Sequence, residues 1–335
     1  MFRLPLVTER EQPTTCHAPS IDVSPGIKVA REPARVRKKR VLLGLLFSTA
    51  ISLLAYRRRS LSSTGIAGAI VTGTTTFGLG GWSWGLSLIF FFVSSSIFSH
   101  FRARDKAKTA AEKFSKSAQR DFVQVCANGG VASLLALSYG FAPTRFLRGI
   151  CLAGYTGALA TATADTWGTE LGVLSPQQPR LITSGEPVSP GTSGGITLHG
   201  TVAAVGGALA QGTVFWLLQR CQRSLNSLPF IALGSGLAGS LIDSYLGATV
   251  QAMYYCPHCQ KETERRVHSC GTKTQALRGI AWFNNDVVNF VATLCGAIFA
   301  ILLYVGEQLW HRNLRPSNAR NCLQRAGDSL PVQRP

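Results

Sequence analysis

The chain has little charge for its length. Asp, Glu, Lys and Arg make up 15% of its 335 residues, and they cluster between long uncharged runs. A soluble chain of this size would interleave charge more evenly. We therefore predict an all-α, polytopic helical membrane protein with about seven spans, within a range of roughly six to eight. The alternative interpretation is a soluble protein with buried helices.

Acidic residues are the scarcer charged type: 16 Asp and Glu stand against 34 Lys and Arg, which gives a net charge of +18. In a soluble protein this excess would suggest nucleic-acid binding. Here the basic residues lie in loops and tails, where they orient the chain against anionic membrane lipids. We expect no nucleic-acid partner and a multi-pass location in a bacterial inner membrane or a plastid membrane.

The first 40 residues lack an apolar run, which argues against a secretory signal peptide, and their four acids are unusual for a transit peptide. We predict a basic disordered tail over residues 1–40 and a second basic tail over 311–335. The helical transmembrane domain then occupies residues 41–310.

The nine cysteines lack the regular spacing of a disulfide framework. Four residues of one loop nevertheless form a compact group of three thiols and an imidazole, although a standard pair of zinc knuckles would have a fourth Cys. These ligand types suit a structural Zn²⁺ ion in tetrahedral geometry. The candidate zinc ligands are Cys256, Cys259, His268 and Cys270.

Apolar runs of roughly 16 to 24 residues recur along the chain, close to the length that crosses hydrocarbon as a helix. They are residues 41–56, 65–81, 84–99, 122–142, 149–164, 196–218, 229–253 and 287–309. The first run is short and has basic flanks on both sides, so we expect that it does not cross fully or crosses against the positive-inside rule.

Three loops rich in polar residues, 100–120, 165–195 and 254–285, must lie on one face, because an even number of runs separates them. We assign this face to the cytosol. The first loop is strongly basic, which sets topology or captures a polyphosphate or an anionic lipid head. Its basic residues are Arg102, Arg104, Lys106, Lys108, Lys113, Lys116 and Arg120.

The second loop opens with two acids, Asp165 and Glu170, at the end of an apolar run. Acids at such a position are costly and usually functional. Five residues correspond to about 140° on an ideal helix, so both acids reach one cation only if the helix breaks. Gly168 and Gly172 would allow such a break or close packing.

Further along the same loop lie Arg180 and a glycine-rich turn at residues 190–195, before the next apolar run. Arg180 offers a bidentate contact to phosphate, and the turn offers backbone N–H groups at the mouth of a helix. No Lys follows the glycines, so the turn is not a Walker A loop. A simple bend is the alternative for this turn.

The third loop begins after a helix with small residues every four positions from Ala232 to Ala248, beside a row that contains Gly239, Asp243 and Gly247. This pattern predicts tight contact with a neighbouring helix and directs Asp243 into the bundle. The polar residues Asn284, Asn285, Asp286 and Asn289 open the last span, where they cap the helix or hold Mg²⁺.

With these motifs, the chain resembles the family of transmembrane protein nineteen and the phytyl-phosphate kinase of the vitamin E pathway. The resemblance covers roughly residues 60–295. Its most specific motifs are at residues 164–172, 179–183, 190–195, 243–249 and 284–286. The cysteine-bearing insertion resembles the cyanobacterial and plastid branch.

The resemblance implies a kinase that uses CTP, or another nucleoside triphosphate, to convert phytyl or a related isoprenoid phosphate into the diphosphate, with Mg²⁺. The polar residues suit phosphoryl transfer. Candidate catalytic acids are Asp165, Glu170, Asp243 and Asp286, of which Asp165 and Asp243 are the Mg²⁺ ligands. Candidate phosphate-binding residues are Arg180, Gly191, Thr192, Ser193, Gly194, Gly195 and Asn285.

We expect the isoprenoid chain to lie in grooves beside Gly239 and Gly247. The alternatives are a lipid cytidylyltransferase, which would use the same polar residues, and a non-enzymatic carrier or scaffold. A carrier would place its acids along a path at mid-bilayer.

Overall fold

The computed structural model describes residues 33–110, 119–219 and 226–327, and these are mostly helical. A π-helical turn, Thr76–Gly80, continues the second helix. The helices are α1 (Ala34–Arg57), α2 (Ser63–Thr75), α3 (Trp82–His100), α4 (Ala103–Ala110), α5 (Phe122–Phe141), α6 (Arg145–Gly172), α7 (Leu198–Leu218), α8 (Leu228–Thr249) and α9 (Asn285–Gly327).

Within the described ranges, six helices are long and apolar enough to cross a membrane: α1, α3, α5, α7, α8 and the Asn285–His311 part of α9. The predicted all-α membrane architecture is therefore confirmed, with a span count in the predicted range. The protein is a multi-pass integral membrane protein. Two further apolar units, α6 and α2 with its π-helical turn, lie beside these six.

Helix α6 is the centre of the bundle. Its residues from Cys151 to Ala164 are all buried, and it packs against α5, α7, α8 and α9. A helix buried on every side is supported by its neighbours along its whole length. Tyr155 of α6 packs against Trp84 and Phe215, and the three ring centroids lie 4.3 to 5.7 Å apart. This packing makes α6 the core of the bundle.

Side-chain caps fix where the helices begin. Asp121 accepts the Gln124 N–H at 2.9 Å in a capping box at the start of α5. Thr144 and Thr197 accept backbone N–H groups in the same way at the starts of α6 and α7. Because an N-cap satisfies a donor that the helix cannot, these residues set the boundary between loop and span.

Both predicted tail boundaries differ from the structure. Helix α1 begins at Ala34, so the basic residues 35–40 form its first turns, while residues 1–32 lie outside the described part. Helix α9 continues past residue 311 to Gly327. The tail prediction rested on charge and low apolar content, and these do not oppose a helix rich in Arg. At 24 residues, α1 is also long enough to cross a membrane.

Two small antiparallel sheets lie in the loops. Strands β1 (Arg180–Leu181) and β2 (Gly195–Ile196) pair just before α7. Strands β3 (Met253–Cys256), β4 (Lys261–Thr263) and β5 (Gln275–Arg278) form a second sheet in the order β4-β3-β5 between α8 and α9. These sheets place the polar loop residues against the ends of α6 and α8.

Candidate active site

Asp165 and Asp243 line one pocket, where the ends of α6, α7 and α8 meet. The space measures about 900 Å³, part of it continuous with solvent. The glycine-rich turn, residues 191–195, forms one wall. The first turn of α7 forms a second wall, and the apolar side chains of Leu237 and Leu241 contribute to a third. The pocket therefore combines acids, backbone amides and an apolar surface.

Close packing of α6 and α8 brings the two acids together. A Cβ atom on Gly239 would lie only 2.3 Å from Thr161 Oγ1, so no larger residue fits at this contact. Asp243 follows Gly239 by one helical turn, and Asp165 follows Thr161 by one turn, so both acids lie next along the same seam. The small-residue pattern thus determines the position of Asp243.

The same contacts correct the predicted isoprenoid grooves. Gly239 packs against Thr161, and a Cβ atom on Gly247 would lie 2.6 Å from Ser193 Oγ. The space beside both glycines is already filled by protein. Small residues at a helix interface serve close backbone approach here rather than a ligand groove.

One carboxylate oxygen of Asp243 lacks a hydrogen-bond donor among the residues that the structure describes. Its Oδ2 atom is buried and accepts no hydrogen bond from residues 33–110, 119–219 or 226–327. Asp165 is close enough for its charge to act on Asp243. Burying such a group without a donor or a cation is costly, and a like charge beside it adds to the cost. A hard divalent cation such as Mg²⁺, which prefers carboxylate oxygens, fits this pair.

Contacts with α8 determine the conformation of the glycine-rich turn. Gly191 and Gly194 have φ angles of +78° and +82°, which favour glycine. A Cβ atom on Gly194 would lie 2.5 Å from Ala248 Cβ, so only glycine fits against the end of α8. Ser193 Oγ donates a hydrogen bond to Gln251 Oε1 at 2.6 Å.

The turn is not itself the mouth of a helix, as the sequence suggested. Strand β2 and the N-cap Thr197 separate it from α7. The N–H of Gly195 donates to Thr192 O at 2.9 Å, and the N–H of Thr192 donates to Ser189 O at 3.1 Å. Two of the N–H groups offered to phosphate are thus used within the turn, while the first turn of α7 still faces the pocket.

Glu170 lies on the other side of α6. Its Oε2 accepts a hydrogen bond from Lys106 Nζ at 2.6 Å, and its Oε1 accepts one from Ser99 Oγ at 2.7 Å. Helix α6 runs unbroken to Gly172, so Glu170 points about 140° away from Asp165. The structure does not bring Glu170 to the predicted acid pair.

Gly168 and Gly172, for which the sequence predicted either a helix break or close packing, pack against α7. A Cβ atom on Gly168 would lie 3.2 Å from Gly200 O, and one on Gly172 would lie 3.3 Å from Gly200 Cα. Of the two roles predicted for these glycines, close packing is the one the structure shows. The helix remains regular because its neighbour supports both positions.

The basic residues of the first loop that lie near Glu170 make contacts with other protein groups. Arg120 Nη1 donates to Ser96 Oγ at 3.1 Å, and its guanidinium lies over the rings of Phe91 and Phe92. Burial lowers the pKa of Arg120 to about 10, and the negative charge of Glu170 opposes this shift. Residues 111–118, with Lys113 and Lys116, lie outside the described residues.

Arg180 is exposed on the β1–β2 side of the pocket. Its Nη1 atom donates to Gly185 O at 2.8 Å, within the same loop. The neighbouring residue Pro179, rather than Arg180, lines the pocket in the described structure. The predicted phosphate contact by Arg180 would require this side chain to reorient.

The polar residues at the start of α9 have different roles. Asn284 Oδ1 accepts the Val287 N–H at 3.2 Å and caps the helix. Asn285 lines the pocket of Asp165 and Asp243, whereas Asp286 lines an adjoining pocket. Asn285 and Glu264 border both spaces. Asp286 is therefore a neighbour of the acid pair rather than a member of it.

Sequence reasoning missed the residues that join the third loop to the pocket. Arg278 donates to Gly247 O at 3.0 Å, to Ala248 O at 2.7 Å and to Ser193 O at 3.4 Å. Gln251 Nε2 donates to Glu264 Oε1 at 2.9 Å. These contacts join distant segments, so no local spacing could indicate them.

The four candidate zinc ligands lie together beside the β4-β3-β5 sheet, with their ligand atoms all within 4.8 Å of one another. Cys256 and His268 are buried, whereas Cys270 is exposed. Hydrogen bonding with Thr272 is the main cause that lowers the pKa of the Cys270 thiol to about 5. This cluster is separate from the acid pocket.

Comparison with known proteins places this chain among membrane proteins. A family model described as "Integral membrane protein DUF92" matches residues 46–297. The chain is 34% identical to Protein PGR of Arabidopsis thaliana over 276 residues, 76% of this chain and 93% of that protein. It is 30% identical to an uncharacterized membrane protein of Methanocaldococcus jannaschii over 269 residues, 79% and 94% of the two chains.

A further relative is named Protein VTE6, chloroplastic, of Arabidopsis thaliana. The identity is 28% over 245 residues, which cover 72% of this chain and 65% of that protein. No solved structure matches the chain.

Proposed function

This chain belongs to the DUF92 family of integral membrane proteins, and we propose that it is a kinase that converts an isoprenoid monophosphate into the diphosphate. The proposed donor is CTP or another nucleoside triphosphate, and phytyl phosphate is the model acceptor. The observation that carries the proposal is the buried Asp243 Oδ2 atom, which lacks a donor among the described residues, beside Asp165. The resemblance of the sequence motifs to the phytyl-phosphate kinase family supports the same class of activity, and Protein VTE6 is among the relatives of the chain.

Asp165 and Asp243 would hold Mg²⁺. When bound, this ion neutralises charge on the phosphates during transfer. The two acids fit the ion because they are hard oxygen ligands on a fixed helical seam. Their own role is to position the donor phosphates at the end of the α6–α8 contact.

The amide-rich walls of the pocket suit the phosphate groups. The N-terminal turn of α7 faces the pocket, where the helix dipole favours an anion. The turn at residues 191–195 adds backbone donors, and the side-chain amide of Asn285 lies on the same lining. Phosphoryl transfer needs mainly such positioning and charge stabilisation.

The apolar wall suits an isoprenoid chain. Leu241 lines the pocket and is 39% exposed. Leu237 and Ala204 continue this wall between α7 and α8. A lipid substrate can therefore keep its chain toward the bilayer while its phosphate reaches the acids.

The reaction proposed here needs no general base. An anionic oxygen of the lipid phosphate attacks the γ-phosphorus, a new P–O bond forms, and the bond from that phosphorus to the β–γ bridging oxygen breaks. The nucleoside diphosphate leaves with the electron pair. The described lining of the pocket contains no histidine, and the proposed chemistry does not require one.

Labelled nucleotide tests the proposal. Purified protein in detergent is incubated with Mg²⁺, phytyl phosphate and CTP labelled at either the α- or the γ-phosphate, with the other nucleoside triphosphates run in parallel. We expect only the γ label in the lipid product, and none with Asp243→Asn. Label from the α-phosphate would mean cytidylyl transfer. No label in the lipid from any donor would favour a carrier or scaffold.

A further inference from the structure

The cluster of cysteines and a histidine lies outside the acid pocket, and its geometry is that of a metal site. Cys256 Sγ and Cys270 Sγ are 3.7 Å apart. With zinc–sulfur bonds of about 2.3 Å, tetrahedral geometry separates two thiolate ligands by about 3.8 Å. Sulfurs joined in a disulfide would be about 2.05 Å apart. The observed spacing therefore fits two ligands of one ion.

The other two ligands complete the same site. All four ligand atoms lie within 4.8 Å of one another. His268 Nδ1 is 3.2 Å from Cys270 Sγ, close to the separation of neighbouring ligands around zinc. His258, by contrast, lies next to Cys259, with its Nδ1 atom 3.6 Å from that sulfur, and is not part of the group.

We propose that Cys256, Cys259, His268 and Cys270 bind one Zn²⁺ ion, and that this ion fixes the glycine-rich turn in place through Arg278. The ion joins the end of β3 to the loop that leads into β5, and β5 ends at Arg278. Strands β3 and β5 are paired, with Tyr254 opposite Ala276. Zinc binding therefore holds Arg278 at a defined position.

Arg278 connects the β4-β3-β5 sheet to the glycine-rich turn. Its guanidinium donates to Gly247 O and Ala248 O at the C-terminal end of α8, and to Ser193 O in the turn. Cations are favoured at helix C-termini because unpaired carbonyls and the dipole attract them. One side chain thus ties the turn to the helix that carries Asp243.

A second series of hydrogen bonds also connects the sheet to the turn. Glu264, which follows β4, accepts from Gln251 Nε2 at 2.9 Å, and Gln251 Oε1 accepts from Ser193 Oγ at 2.6 Å. Both paths from the sheet end on Ser193. The zinc-held sheet is therefore a support for the turn, and only the functional consequence of that support rests on the kinase proposed above.

Metal analysis of the full-length protein tests the ion itself. We expect one zinc per chain in purified wild type, and Co²⁺ exchange should produce thiolate charge-transfer absorption. His268→Gln should reduce zinc content at least about tenfold, in line with loss of a tetrahedral ligand. The matched control His258→Gln should retain it. Absence of zinc and of Co²⁺ absorption in folded wild type, or zinc loss in the control alone, would overturn the site.

Hydrogen exchange tests whether the zinc-held sheet supports the glycine-rich turn. In peptides that cover residues 188–196, chelation of zinc should speed exchange by about tenfold, because local opening of the turn becomes easier. Arg278→Ala should do the same while zinc remains bound. The control is Arg266→Ala, whose guanidinium donates to Tyr254 Oη and Ala281 O instead of the turn.

If hydrogen exchange in the turn is unchanged both after zinc removal and in Arg278→Ala, the sheet does not support the turn and this part of the proposal is wrong. Because this measurement needs no turnover, its outcome is independent of the kinase. If the kinase is also correct, Arg278→Ala should raise the KM for nucleotide about tenfold and leave the KM for the lipid unchanged.

Discussion

The two sides of α6 near its C-terminal end carry acids in opposite situations. Toward α3, Glu170 accepts from both Lys106 and Ser99. Toward α8, Asp165 faces a second acid, Asp243, whose Oδ2 atom has no donor in the part of the chain that the structure describes. One acid is neutralised by the protein itself, while the other two leave a charge for something else to neutralise.

This difference separates structural from functional charge. An ion pair such as Lys106–Glu170, partly shielded from solvent, joins the first loop to α6 and contributes about 1 kcal/mol or less. A pair of half-buried like charges lowers stability unless a cation binds. We therefore propose that the acids on the α8 side of α6 bind a ligand, whereas Glu170 on the α3 side serves packing.

The sharpest test of the comparison replaces each acid of the pair with its amide. Asp165→Asn and Asp243→Asn should each lower the rate of lipid phosphorylation by about 100-fold or more, because charge stabilisation is the main catalytic term. Both variants should insert and accumulate normally, since size is unchanged and an unpaired charge is removed. Steady-state kinetics at equal amounts of folded protein measure the effect. Full activity in either variant would remove that acid from the site.

The glycine-rich turn should give the next largest effect. Gly194→Val places a side chain at a φ of +82° and within 2.5 Å of Ala248 Cβ. We expect the KM for nucleotide to rise about tenfold as the turn moves away from α8. Gly185→Ala is the control, because its φ is +72° but nothing lies within 4 Å of the added Cβ. Equal effects in both variants would show that backbone strain, not position, is responsible.

A smaller effect is expected on the α3 side of α6. Glu170→Gln should lower the free energy of unfolding by about 1 kcal/mol, because Lys106 loses its ionic partner. The kcat should stay within about threefold of wild type. Thermal unfolding in detergent and turnover are measured together, and Lys106→Met in the same chain should recover part of the stability. A collapse of kcat with normal stability would move Glu170 into the catalytic site.

Arg180 should have the smallest effect. Its guanidinium donates to Gly185 O and lies outside the lining of the pocket. We expect Arg180→Lys to change the KM for nucleotide by less than about threefold. A rise above tenfold would mean that Arg180 turns toward the phosphates when nucleotide binds, as the sequence interpretation holds, since Lys loses the bidentate contact.

Local patterns predicted the features that depend on helix periodicity. The apolar runs became helices, and the small residues of α8 form the contact that carries Asp243 to Asp165. Features that depend on distant residues could not be read from spacing. Lys106 is 64 positions from Glu170, and Arg278 is 85 from Ser193. Without these partners, the sequence places Glu170 among the candidate catalytic acids and does not single out Arg278.

Binding of a divalent cation tests the central claim most directly. Mn²⁺ can replace Mg²⁺ and is counted by electron paramagnetic resonance in the purified, zinc-loaded protein with nucleotide present. The account predicts that Asp165→Asn and Asp243→Asn each lose one Mn²⁺ site that wild type and Glu170→Gln retain. Equal Mn²⁺ binding in all four proteins would contradict it.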